Sequence, residues 1–211
     1  PSTIEKLEGA GSNRVYYRFG NKTGQSVIAV IGTSRDENHA FIYLTEHFTD
    51  KQLPVPQILA VSDDELRYLQ TDLGHTSLFD MLKSARDAGG RYTQKEKQLL
   101  TKTLQALPEM QVRGAVGLDF QQCYPQPEFN VESVLFDLNY FKYCFLKATG
   151  IDFHELMLEA NFRMFAKDLT AEPAECFLYR DFQARNVMLD HDGNPYFIDY
   201  QGGRKGPFYY D

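Results

Sequence analysis

Cysteine is scarce in this 211-residue chain, and what little there is does not cluster. Cys123, Cys144 and Cys176 are odd in number and show no C-x-x-C spacing, which argues against a disulfide framework or a thiolate zinc site and favours a reducing, cytoplasmic setting. No apolar run approaches the ~20 residues of a membrane span, and no signal peptide is present. Basic tracts are also missing. With a formal net charge of −7, neither nucleic acid nor an anionic membrane surface is an expected partner, and a small soluble substrate fits better. Internal repeats and low-complexity segments are absent. The first residue is Pro1 rather than methionine, which reads as a processed chain or a piece of a longer one. What is present is 43% apolar content, enough at this length to bury a core in one two-lobed unit.

The chemistry concentrates near the C-terminal end. Apolar residues Phe177 to Tyr179 lead towards Asp181, Asn186 opens a second apolar run, His191-Asp-Gly-Asn194 reverses the chain, and Tyr196 to Ile198 deliver Asp199. Short strands therefore bring Asp181, Asn186 and Asp199 together. A carboxylate beside an attacking hydroxyl orients it and accepts its proton, while an amide oxygen and a second carboxylate suit Mg²⁺, a hard cation that takes oxygen ligands. Asp181 is the expected base, and Asn186 and Asp199 are the expected metal ligands. The spacing is that of H-R-D-x-x-x-x-N followed by a D-F-G-like element, with Tyr179 at the histidine position and Asp199-Tyr-Gln201 as the second element. For any one of these residues a capped surface hairpin is the simpler reading. The three in this order point to phosphoryl transfer.

Tyr179-Arg-Asp-Phe-Gln-Ala-Arg-Asn186, Phe197-Ile-Asp-Tyr-Gln-Gly-Gly203 and Gly206-Pro-Phe-Tyr-Tyr-Asp211 resemble the aminoglycoside phosphotransferase and choline kinase-like family. That resemblance implies an α+β, bilobal protein-kinase-like fold. A small antiparallel β lobe would span 1–70, and a mainly helical lobe carrying the catalytic and metal-binding hairpin would span 71–211. It also implies ATP and Mg²⁺ as cofactors and a small-molecule hydroxyl as acceptor. Asp199-Tyr-Gln201 and the downstream Gly-Pro and Tyr-Asp are especially similar to the branch that phosphorylates cell-wall amino sugars, N-acetylmuramate and N-acetylglucosamine, at the anomeric hydroxyl. In that family further helices follow, so the helical lobe is expected to be truncated. A kinase-fold binding or regulatory protein without catalysis is the alternative, and a protein kinase is disfavoured because no A-P-E-like element follows Asp199.

Within this frame, Ser2 to Leu7 and Val15 to Phe19 read as strands around a nucleotide-covering flap. Gly9 and Gly11 allow close backbone approach to phosphate, and Ser12 and Asn13 supply donors. Ser26 to Ile31 reads as the third strand. Alignment of Ile28-Ala-Val-Ile31 with V-A-I-K leaves no lysine, so either Arg14, Arg18, Lys22 or Arg35 supplies the charge, or Mg²⁺ does most of the neutralisation, or nucleotide binding is weak. Ser34 or Thr33 caps a helix in which the resemblance makes Glu37 the glutamate that partners the strand lysine; without that lysine it reads instead as an acid facing the helix dipole. Backbone groups of Gln70, Thr71 and Asp72 resemble the hinge that reads adenine. Ser77 caps the next helix. Leu99, Leu100, Thr103, Leu104 and Leu107 read as core of a long helix that Pro108 ends or kinks, and Asp152 as the cap of a later one. The dense Phe and Tyr content of 131–165 reads as packing. Arg180, which could orient the loop, and Arg185, which could face the transferred phosphate, both read first as ion-pair residues, His191 as solvated, and Gly202 to Gly206 as a flexible basic loop that could approach phosphate.

Overall fold

The computed structural model describes residues 3–7, 13–171 and 175–211. Strands β1 (Thr3–Leu7), β2 (Val15–Gly20), β3 (Ser26–Ile31), β4 (Ile58–Val61) and β5 (Arg67–Thr71) form one antiparallel sheet in the order β1-β2-β3-β5-β4. Strand alternation sorts their side chains by face. In β3, Ile28 and Val30 are buried whereas Ile31 is 44% exposed. Val30 stands opposite Tyr16 and Tyr68, and Ile28 opposite Arg18 and Gln70. Ile31, the position that motif alignment selects for a strand lysine, thus lies on the face opposite to that of Ile28 and Val30.

Helix α1 (Arg35–Asp50) starts at Ser34, whose Oγ accepts the Glu37 N–H at 3.3 Å. Ala40, Phe41, Leu44 and Phe48 are buried as their spacing predicts. This face joins the two halves of the molecule: Phe48 packs edge-on against Phe177 at 5.0 Å between ring centroids, and Phe41 stacks on Tyr200 at 5.2 Å.

The rest of the chain is mainly helical. Ser77 and Asp80 form a reciprocal cap at α2 (Leu78–Met81), α3 (Lys83–Asp87) follows, and Thr93 and Glu96 form the same device at α4 (Gln94–Pro108). Pro108 does not stop the winding, because a wider π-helical turn, Glu109–Arg113, continues it. Leu99, Thr103 and Leu107 are buried, but Leu104 is 59% exposed, so the expected core stripe is narrower than its sequence suggests.

A larger departure concerns α5 (Val131–Phe141) and α6 (Glu155–Leu169), which pack on each other. Tyr143, Phe145, Leu156, Met164 and Phe165 are all more than half exposed, against the reading of this aromatic density as packing, and the buried side chains of the pair are Val134, Phe162 and Ala166. Their apolar periodicity is real, but the neighbouring elements cover only one side of it. The cap of α6 is also displaced: His154, not Asp152, accepts the Met157 N–H through Nδ1 at 3.2 Å. Among the described residues no helix is long and apolar enough to cross a membrane.

Candidate active site

Strands β6 (Cys176–Leu178) and β9 (Arg204–Gly206) pair with each other, and β7 (Val187–Leu189) pairs with β8 (Pro195–Phe197) through the expected turn. In the second ladder Val187 faces Phe197, so Asn186 and Ile198 meet just beyond its end, where the Ile198 N–H donates to the Asn186 carbonyl at 3.0 Å. Asp199 follows, at a φ of 66°. From the other side, Asn186 Nδ2 donates to the Asp181 carbonyl at 2.9 Å. Three residues spread over 18 positions of sequence are thereby tied into one loop cluster.

Tyr179, at the histidine position of the motif, is fully buried and donates its hydroxyl to the Ile198 carbonyl. It also packs edge-on to Phe197 and Tyr200. An aromatic hydroxyl therefore connects the two loops that carry Asp181 and Asp199. Asp211 holds the first of these loops from behind, accepting the Tyr179 and Arg180 N–H groups and, at 3.0 Å, the Gln111 side-chain amide.

Burial pushes the Asp181 carboxyl above its ordinary range; the Asp199 and Asp137 charges add to this, while Arg180 and Arg204 oppose it. Arg180 is an ion-pair residue, but its partner is Asp137, at 3.0 Å, and not the adjacent Asp181. Arg185 departs from that pattern: its guanidinium lies 4.4 Å from the centre of the Phe79 ring. Gly202 to Gly206 are only partly loop. Arg204 to Gly206 form β9, Arg204 is buried and donates to the Gly202 carbonyl through Nε and one terminal nitrogen at 3.0 and 2.9 Å, and Lys205 pairs with Glu175. Burial lowers the Arg204 pKa to about 10. His191 is exposed, as expected for a polar turn.

Asn186 and Asp199 line a cleft of about 360 Å³ beneath the sheet. The donor set fits a hard cation. Asn186 uses Nδ2 on Asp181, leaving its oxygen; Gln201 Nε2 holds one Asp199 oxygen at 2.8 Å; and the buried Gln201 Oε1 has no partner. Among the described residues there is no group of three or more His, Cys, Asp or Glu able to hold a metal. Mg²⁺ suits such a site, because it takes few protein ligands and keeps water and phosphate oxygens for the remainder.

The opposite wall of the cleft includes Arg14, Tyr16, Arg18, Tyr68, Gln70 and Asp72. Gln70 is 8% exposed, and its Oε1 also lacks a partner. Thr71 reaches the cleft but spends its N–H on the Gln57 carbonyl at 3.0 Å. The Asp72 side chain serves as a latch, gripped by Arg18 through Nε at 2.6 Å and by the Ser26 hydroxyl at 2.6 Å. Asn13 is exposed and does not line the cleft, while Gly9, Gly11 and Ser12 lie outside the described residues. Glu37 is more than a dipole acid, because its carboxylate meets Arg14 at 3.4 Å. Neither that pair nor the role of Asp211 was readable from local pattern. The partners lie 23 and 31 to 32 residues apart, and the only trace in the sequence was the Gly-Pro and Tyr-Asp ending itself.

Residues 3–211 match the phosphotransferase enzyme family. No curated protein matches the chain. Among solved structures, the aminoglycoside phosphotransferase APH(4)-Ia in ternary complex with ADP and hygromycin B is 14% identical, covering 99% of this chain and 70% of that one with a TM-score of 0.61. The amicoumacin kinase hAmiN, in complex with AMP-PNP and Ca²⁺, is 11% identical, covering 99% and 61% with a TM-score of 0.66. A choline/ethanolamine kinase family protein from Mesorhizobium loti is 12% identical, covering 98% and 60% with a TM-score of 0.57. At these identities the likeness is one of fold, the bilobal protein-kinase-like α+β architecture.

Proposed function

Since the chain belongs to the phosphotransferase enzyme family, we propose that it is an ATP- and Mg²⁺-dependent small-molecule kinase. Asp181 orients the acceptor hydroxyl and takes its proton, and Asn186 and Asp199 hold the metal. Bound Mg²⁺ supplies neutralisation of phosphate charge. The observation that carries this reading is the hydrogen-bonded chain from the Asp181 carbonyl through Asn186 to Ile198, which ends at Asp199 on the cleft wall.

The nucleotide enters between a lobe of residues 1–70 and one of residues 71–211, with its base against Gln70, Thr71 and Asp72 and its phosphates under the flap that carries Gly9, Gly11, Ser12 and Asn13. ADP in APH(4)-Ia and AMP-PNP with Ca²⁺ in the amicoumacin kinase support a nucleotide and a divalent ion in this fold. For the acceptor we favour an amino sugar or related alcohol, supported by the resemblance of Asp199-Tyr-Gln201 and the Gly206 to Asp211 ending to amino-sugar kinases. Three free thiols suit a cytoplasmic setting.

The test is calorimetric titration with AMP-PNP, with and without Mg²⁺, beside Asp199→Ala, followed by turnover on amino sugars beside Asp181→Asn. Mg²⁺-dependent binding lost in Asp199→Ala, with turnover lost and binding kept in Asp181→Asn, is the expected result. A folded chain that binds no nucleotide would sink the proposal, and binding without turnover on any alcohol would make this a binding protein.

A further inference from the structure

Phosphoryl transfer needs positive charge beside the inner phosphates, and β3 offers none. Its inward positions are Ile28 and Val30. Three guanidinium groups line the cleft among the described residues: those of Arg14, Arg18 and Arg185. Arg18 is committed to the crossing between the sheet and the helices, with Asp72 held at 2.6 and 3.1 Å, Glu5 at 3.2 Å and the Gly74 carbonyl at 2.8 Å. Arg185 rests over Phe79. Of the other candidates, Lys22 is exposed, and Arg35 is exposed and paired with Glu65.

Arg14 is placed differently. It precedes β2 and is only 5% exposed, with its guanidinium 5.6 Å from the centre of the Phe41 ring. One terminal nitrogen meets the Glu37 carboxylate at 3.4 Å and the Glu37 carbonyl at 3.2 Å, while Nε donates to Asn38 Oδ1 at 3.2 Å. Asn38 is fully buried and anchored in turn on the Glu65 carbonyl at 2.9 Å. Its side chain fits because residue 32 is glycine: a Cβ there would stand 2.4 Å from the Asn38 amide. The fork is therefore held from α1, in a cleft that Tyr16, Tyr68 and Asp199 also line.

We infer that Arg14, oriented by Glu37 and Asn38, is the binding residue for the inner phosphates of the nucleotide, so that the cation enters from the residue before the second strand instead of from the third strand. Arginine suits the task because its planar fork engages phosphate oxygens in pairs and its charge survives burial. Glu37 keeps the buried guanidinium compensated before the nucleotide arrives and fixes its direction, which makes it a positioning residue. This inference rests on the reading of the cleft as a nucleotide site.

The experiment is a competition titration with adenosine, ADP and AMP-PNP in Mg²⁺, on the full chain and its Arg14→Met, Arg14→Lys and Arg14→Met/Val30→Lys variants. Arg14→Met should leave adenosine affinity nearly unchanged and weaken ADP and AMP-PNP by about tenfold or more, the scale of charge-assisted hydrogen bonds to phosphate. Val30→Lys in that background should recover part of the loss by returning the charge to the third strand. Should Arg14→Met unfold, Arg14→Lys serves instead, because it keeps charge and stem while removing the fork, and the ADP-to-adenosine affinity ratio should fall by about threefold or more. An unchanged ratio in the folded variants, beside a wild type that binds AMP-PNP in an Asp199-dependent way, overturns the assignment of Arg14 alone. A wild type that binds neither adenosine nor its phosphates overturns the nucleotide reading and this inference together.

Discussion

Asp211 holds Arg180. Its two carboxylate oxygens accept the N–H groups of Arg180 and Tyr179 at 2.7 and 2.9 Å, and Arg180 is kept at a φ of 75°, a left-handed backbone that non-glycine residues seldom adopt. The residue after this bend is Asp181. Asp211→Ala should leave two N–H groups without partners and cost about 2–3 kcal/mol of stability, as buried donors without acceptors do. Urea denaturation would measure that loss. Turnover should fall more than AMP-PNP affinity, because the bend directly precedes Asp181, the proposed base, and not the proposed metal ligands.

The Asp181 carboxyl, raised above its ordinary 3.8 chiefly by burial, predicts the acid limb of activity. A base must be ionised, so turnover should fall as pH drops through the raised value, at higher pH than an exposed aspartate would give. Asp137→Asn removes one negative charge that contributes to the shift and releases Arg180, so the acid limb should move to lower pH. A pH–rate profile of both proteins would check this; a limb that moves upward would contradict it. Stability carries the matching sign. The folded chain binds this proton more tightly than the unfolded one, so this group's contribution declines as pH rises from 3.8 through the raised value.

Glu96 gives the opposite sign. Bonds from the Thr93 and Ser84 side chains lower its pKa from 4.5 to about 2. Its stabilisation of the start of α4 is present above pH 4.5 and is lost as pH falls towards about 2. Thermal melts across this range should show a loss that is missing in Glu96→Gln, which keeps a side-chain acceptor but cannot titrate.

Tyr200 occupies the phenylalanine position of the D-F-G-like element and is fully buried. Its hydroxyl lies 2.7 Å from Thr45 Oγ1, which itself donates to the Phe41 carbonyl at 2.6 Å, so Tyr200 is the donor. Tyr200→Phe should cost about 1 kcal/mol, one net hydrogen bond. Tyr200→Ala should cost about 3–5 kcal/mol through the cavity left between α1 and the Asp199 loop. Melting temperatures of the two variants should fall in that order.

Much of this was legible in linear order. The caps at Ser34 and Ser77, the first three strands, and the spacing of Asp181, Asn186 and Asp199 are local patterns, and local hydrogen bonding or strand register realises each of them. Helical periodicity misled at Leu104, Tyr143 and Leu156, because a stripe of apolar residues states which face is available for burial and not whether another element covers it.

The residue types proposed for phosphoryl transfer, and their order, are therefore read from the sequence alone. Tertiary structure decided which cations line the cleft, what Glu37 pairs with, and what holds the bend before Asp181. Those choices depend on contacts across 23 to 32 residues of chain, and only closure of the sheet over α1 and docking of the C-terminal Asp211 against β6 bring such distant groups within hydrogen-bond reach.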